Sequence, residues 1–206
     1  MNKGWKQLLG LILLCGTQTI SFAESPKLTL AKIQEKHSLI QSAASTFDVN
    51  AQYLSAIIYV ERTLNYDWTD EMWDLMIAKA GKNSSIGFCQ VKLKTAYFIE
   101  HQLHNIHSVF FPGKSYTNIL KISKNPQALI EKLSDDSLNI LYAAAYLKMM
   151  QTRWVTAGYP IDKRPDIFGT LYSTGLFHNN GNERLPHANP KSNDFGKKVL
   201  KAIDLF

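Results

Sequence analysis

Between Ser134 and Thr152 the chain reads SDDSLNILYAAAYLKMMQT, and no other stretch constrains the fold so tightly. Wound into a helix, Leu138, Ile140, Leu141, Tyr142, Ala143, Ala144, Ala145, Tyr146, Leu147 and Met149 leave almost no polar side. A helix that is apolar all round must be the buried centre of a domain, with other elements wrapped about it. Ser134 is placed to cap its start, with Asp135 and Asp136 favourable against the helix dipole in the first turn. The remaining segments carry the helical period on one face only. Leu28 to Phe47 places Leu30, Ile33, His37, Ile40, Ala44 and Phe47 along one side, an amphipathic helix. Asn50 to Arg62 follows after a three-residue link, short enough to make the two helices neighbours. Further helices are predicted over Lys94–His107, Asn125–Leu133, Ile167–Leu176 and from Asn193 or Asp194 to Phe206. Leu64–Gly81 reads as a loop with a short helix, and Ala157–Pro165 and His178–Ser192 as loops. Only Asn83 to Val91 resembles a turn leading into an extended piece. The fold class is therefore mainly α, a single domain with at most a very short β-hairpin.

The ends and the charge bound what such a domain can meet. Residues 1–23 have Lys3 and Lys6, an apolar run from Leu8 to Cys15 and a small-x-small triplet Ser21-Phe22-Ala23, the pattern of a secretory signal. That run is too short to span a bilayer, and no later stretch is long and apolar enough. The mature domain, residues 24–206, is expected to be exported without an integral membrane segment. Leu14 before Cys15 argues against lipidation. The formal charge is +6, of which Lys3 and Lys6 supply two, so the mature protein is mildly basic and drawn to anionic polymers of a cell wall. Its Lys and Arg are scattered, which argues against nucleic acid as a partner. With Cys15 in the signal, Cys89 has no intramolecular disulfide partner and reads as a small buried hydrophobe.

One carboxylate stands out. Leu54, Ile57, Ile58 and Glu61 lie at i, i+3, i+4 and i+7, so Glu61 shares the apolar face of its helix, which Asp48 or Asn50 can cap. A carboxyl in apolar company is held towards its neutral form, the state of a general acid near neutral pH. His101, His104 and His107 fall along one helix side but lack the HExxH spacing and its glutamate. No metal and no cofactor is expected, and His178 and His187 are assigned no role.

Four separated stretches then agree in order: the apolar helix ending in Glu61, Ile86-Gly87-Phe88-Cys89-Gln90-Val91 with Thr95-Ala96 behind it, Asn139-Ile140 entering the alanine-rich helix, and Tyr172-Ser173-Thr174-Gly175. Together they resemble the soluble lytic transglycosylase domain, of the lysozyme-like superfamily and related to goose-type lysozyme, over roughly residues 35 to 205. The departures are Arg62 where the family usually has Ser, Cys89 for Met, Leu93 for Pro, Tyr-Ser-Thr-Gly for Tyr-Asn-Ala-Gly, and a longer interval between Glu61 and Gly87.

The resemblance implies a lysozyme-like fold and cleavage of the β-1,4 bond between N-acetylmuramic acid and N-acetylglucosamine in peptidoglycan. Glu61 would serve as acid and then base, giving 1,6-anhydromuramyl products. It implies further that Gln90 hydrogen-bonds the glycan from the groove floor and that backbone at Ile86, Gly87 and Phe88 lines the groove, Gly87 admitting a sugar close to the main chain. Tyr172 would reach Glu61 with its hydroxyl, and Asn139 would support the site. Arg62 would pair with a carboxylate or an anionic substrate. The expected setting is a bacterial periplasm or envelope, the partners glycan strands and an envelope or secretion machine, and the state a monomer. A hydrolysing muramidase using Asp67 or Asp70, and a wall-binding or secretion-apparatus protein without turnover, are the alternatives.

Overall fold

The computed structural model describes residues 24–65 and 84–206. The predicted signal, residues 1–23, and most of the Leu64–Gly81 segment, with Asp67 and Asp70, lie outside the described residues. What is described is mainly α: eight α-helices and one two-stranded antiparallel hairpin. The helices are α1 (Pro26–Glu35), α2 (His37–Phe47), α3 (Ala51–Asn65), α4 (Leu93–His104), α5 (Pro126–Ser134), α6 (Asp136–Thr156), α7 (Pro165–Thr174) and α8 (Asp194–Ala202). The hairpin strands are β1 (Ser85–Ile86) and β2 (Val91–Lys92), with Ser85 paired to Lys92 and Ile86 to Val91. Among the described residues no helix is long and apolar enough to cross a membrane.

The central helix is where its composition demands. α6 touches α2, α3, α4, α5, α7 and β2, and Tyr142, Ala143, Ala144, Ala145, Met149 and Met150 are all fully buried in it. Its start differs from expectation. Ser134 ends α5, its hydroxyl donating to Ile130 O at 2.9 Å, and Asp135 is the cap, accepting from Leu138 N at 2.8 Å. Leu28–Phe47 is likewise two helices, not one. Lys36 leaves helical geometry at φ −96°, ψ 12°, and the turn of register puts His37 in solvent while Ile33 and Ile40 stay buried. Asp48 then takes the left-handed conformation that closes α2, and Asn50 alone caps α3, accepting from Gln52 N and Tyr53 N.

A second buried carboxylate, unforeseen in the sequence, fastens the far side. Glu100 on α4 is fully buried and accepts four hydrogen bonds: from Ser123 N and Oγ at 2.7 Å, Lys132 Nζ at 2.9 Å and Tyr142 Oη at 2.5 Å. Burial alone would raise its pKa, but these donors outweigh it and hold the carboxyl below the usual glutamate range. A depressed folded pKa contributes stability that is whole above the unfolded value, about 4.3, and is lost as pH falls through the folded value. Glu100→Gln should therefore destabilise the fold by about 3 kcal/mol at pH 7 in urea unfolding. Its denaturation midpoint should also fall less than the wild type's between pH 6 and pH 3.

Candidate functional site

Gly87 to Gln90 joins the two short strands as a turn sunk among helices, and its carbonyls are the problem the surrounding side chains solve. Asn139, fully buried at the start of α6, donates through Nδ2 to Ile86 O at 2.8 Å and Leu133 O at 2.9 Å, and its Oδ1 accepts from Cys89 N at 2.7 Å. Gln90 Nε2 donates to Gly87 O at 3.1 Å. Arg62 Nη1 donates to Phe88 O at 3.1 Å, and Tyr172 Oη donates to Cys89 O at 2.7 Å. Every peptide carbonyl from Ile86 to Cys89 thus has a named side-chain partner, which a buried turn requires. Two residues pass through left-handed backbone, Gly87 at φ 74° and Gln90 at φ 53°.

Beside this turn lies a cavity of about 250 Å³. Its walls include Glu61 from α3, Gln90 and Val91 from the hairpin, Thr95 from α4, Tyr146 from α6 and Tyr172 from α7. Glu61 is half-buried there, and it is the one acidic side chain among the described residues of that wall. Tyr146 and Tyr172 meet edge to face, ring centres 5.9 Å apart. Burial pushes both phenols up, Tyr172 with a further contribution from the Cys89 and Glu61 side chains, so both remain neutral hydrogen-bonding groups at neutral pH.

Several expected roles take a different form. The hairpin's share of the cavity wall comes from Ser85, Gln90, Val91 and Lys92, whereas Ile86, Gly87 and Phe88 are buried in the packing beneath. A Cβ on Gly87 would stand 2.3 Å from Leu133 O and 2.5 Å from Asn139 Nδ2, so the glycine is needed by the junction of α5 and α6, not by an approaching sugar. Tyr172 gives its single proton to Cys89 O, so it braces the turn and can meet Glu61 only as an acceptor. The Cys89 thiol is buried and pushed far up by desolvation, which keeps it protonated and unreactive. His101 and His107 are exposed and His104 Nδ1 meets Glu100 O. Among the described residues, no cluster of His, Cys, Asp and Glu could hold a metal ion.

Arg62 pairs with a carboxylate, as one reading of it required, and the carboxylate is Glu24. Arg62 Nε meets Glu24 Oε2 at 2.8 Å and Nη2 meets Oε1 at 3.0 Å, both side chains 3 % exposed, while the guanidinium lies 4.7 Å from the Phe88 ring centre. Burial would raise the Glu24 carboxyl, but bonds from Arg62, Lys32 and Thr29 bring it down to about 2. Nothing in the sequence marks Glu24, which precedes its helix and shows no periodicity. Glu100 did leave a trace, since Leu93, Ala96, Glu100 and Leu103 fall on one helical stripe.

No protein-family model matches the chain, and no curated protein matches it.

Two substitutions test this architecture. Gly87→Ala should cost about 3 kcal/mol or more in thermal or chemical unfolding, because backbone and Asn139 atoms occupy the space of the added methyl. Glu24→Gln should cost about 3 kcal/mol at pH 7, since it leaves the buried Arg62 charge uncompensated. The stability that Glu24 gives the wild type is whole above about pH 4.5 and is lost as pH falls towards about 2, measurable as a shift of melting temperature with pH.

Proposed function

We propose that this chain is a peptidoglycan lytic transglycosylase in which Glu61 acts first as acid and then as base. The observation that carries the reading is that Glu61, half-buried, is the one carboxylate among the described residues of a cavity whose other walls are neutral polar groups, Val91, Ala143 and Lys92. Most glycosidases need a second carboxylate, as nucleophile or to activate water. Glu100 and Glu24 are the deeply buried glutamates among the described residues, and in both each oxygen is already taken, by cations and hydroxyls and, at Glu100 Oε2, by the Ser123 N–H. Neither can serve as nucleophile.

A single glutamate suffices where the substrate supplies the rest. Protonated Glu61 gives its proton to the glycosidic oxygen, and the C1–O4 bond breaks as the neighbouring N-acetyl oxygen shares the positive charge at C1. The Glu61 carboxylate then takes the proton of the muramyl 6-hydroxyl as that oxygen bonds to C1. The N-acetyl group is restored, Glu61 is again protonated, and no water is consumed. Gln90, Tyr146 and Ser173 on the cavity wall offer the polar groups to orient the sugar. In this reading the signal directs the protein to the envelope, where it works on glycan strands as a monomer.

The alternative without turnover rests on two departures from the family pattern, Arg62 beside Glu61 and Tyr172-Ser173-Thr174-Gly175. The three guanidinium nitrogens of Arg62 bond to Glu24 and Phe88 O, which offsets its charge beside Glu61 and supports retained activity. With purified sacculi, the wild type should release muropeptides lighter by one water than a muramidase releases, as read by mass spectrometry. Glu61→Gln should lower release by about a thousandfold or more while sedimentation with sacculi persists. Unchanged release by Glu61→Gln would remove Glu61 from the chemistry, and full-mass products would make the protein a hydrolase.

A further inference from the structure

Three adjoining cavities lead away from Glu61. The first shares Lys92, Thr95, Tyr146, Tyr172 and Ser173 with a second of about 390 Å³, and the second shares Thr174 and His178 with a third of about 440 Å³. Trp154, Ile167 and Leu171 give the third an apolar side, and Arg184, Lys191, His178 and His187 give it a basic one. Among the described residues lining the three, the permanent cations are Lys92, Lys94, Arg184 and Lys191, and the single carboxylate is Glu61 at the far end.

The nearby acids are already committed. Glu183 pairs with Arg153 at 2.5 Å and Asp166 with Arg164 at 2.8 Å. Arg184 has a buried Nε without a hydrogen-bond partner, a guanidinium N–H stripped of water with no acceptor in exchange. The loop that carries it is built firmly: Arg184 N donates to Leu176 O at 2.8 Å, His178 N donates to Asn182 O at 2.8 Å, and Phe177 bridges Glu183. The His187 ring rests 6.1 Å from Trp154.

A neutral sugar backbone offers this row of cations nothing to pair with. Peptidoglycan carries its carboxylates on the peptide stems hung from the lactyl groups. We propose that the Arg184 cavity is a carboxylate-binding site that seats the peptide stem, so that strands bearing peptides are cut in preference to bare ones. The outer Nη1–Nη2 edge of the Arg184 guanidinium meets a carboxylate with two parallel N–H bonds, and Lys191 adds a second charge. The preference in cutting rests on the proposed role of Glu61, but the affinity for the stem does not.

The test uses the whole mature protein as wild type, Arg184→Gln and Lys191→Gln. Release rates are compared on peptide-bearing strands and on the same strands stripped by an amidase. The wild type should favour the former, and Arg184→Gln should lower that ratio about tenfold or more, Lys191→Gln by less. In parallel a synthetic L-Ala-γ-D-Glu-L-Lys peptide, its amidated form and inorganic phosphate are titrated into each protein by calorimetry. The free acid should bind the wild type, the amide at least tenfold more weakly, and Arg184→Gln should bind neither well. An equal rate ratio in wild type and variants, equal binding of acid and amide, or phosphate binding as tight as the peptide would each overturn the proposal. Should Arg184→Gln fail to fold, the amide comparison on the wild type still decides. Peptide binding through Arg184 in a protein that cuts no strand would leave the site standing and sink the transglycosylase reading instead.

Discussion

The structure depends on how one buried turn disposes of its peptide carbonyls. The chain from Ile86 to Cys89 is too enclosed to leave them to water, and an unpaired buried carbonyl costs on the order of 1–3 kcal/mol. Asn139 from α6, Arg62 from α3 and Tyr172 from α7 each meet that need, and Gln90 closes the turn on itself. Three helices are thereby registered against a single loop. Because Arg62 is drawn inward to Phe88 O and Glu24, the rotation of α3 is fixed, and the adjacent Glu61, about 100° away round the helix, is turned towards the cavity.

Burial treats the glutamates of this protein in two ways. Glu24 and Glu100 are surrounded by cations and hydroxyls and are held ionised, which makes each a structural clamp tying distant segments together. Glu24 joins the start of the described chain to α3, while Glu100 joins α4 to the 121–124 segment, α5 and α6. Glu61, by contrast, opens onto a cavity. The same residue type thus gives stability where its oxygens are saturated and offers chemistry where a ligand can reach it.

The charge distribution extends this contrast to the surface. Lys92, Lys94, Arg184 and Lys191 line the hollows leading from Glu61, and the acids of the neighbouring segments are tied into pairs with Arg153 and Arg164. A modest overall charge of +6 therefore becomes a concentrated basic tract beside the proposed reaction centre.

Much of the fold was legible because its signals are local. The all-round apolar stretch of α6 can be stable only at the centre of a domain, the stripe of Leu54, Ile57 and Ile58 orients α3, and the absence of alternating runs excludes an extensive sheet. The helix boundaries at Lys36 and Asp135 were not legible, since a one-residue change of register is decided by which side chain finds a partner. Nor were the duties of Gly87, Tyr172 and Arg62. The sequence shows a glycine, a phenol and a guanidinium, but whether each faces a ligand or a neighbouring backbone depends on atoms 26 to 83 residues distant. Local periodicity is written in the order of residues, so the helices and the candidate Glu61 follow from it. The partners of Glu24, Glu100 and Arg184 are set by long-range packing, and only the tertiary structure could decide which buried charges were satisfied and which still lacked a partner.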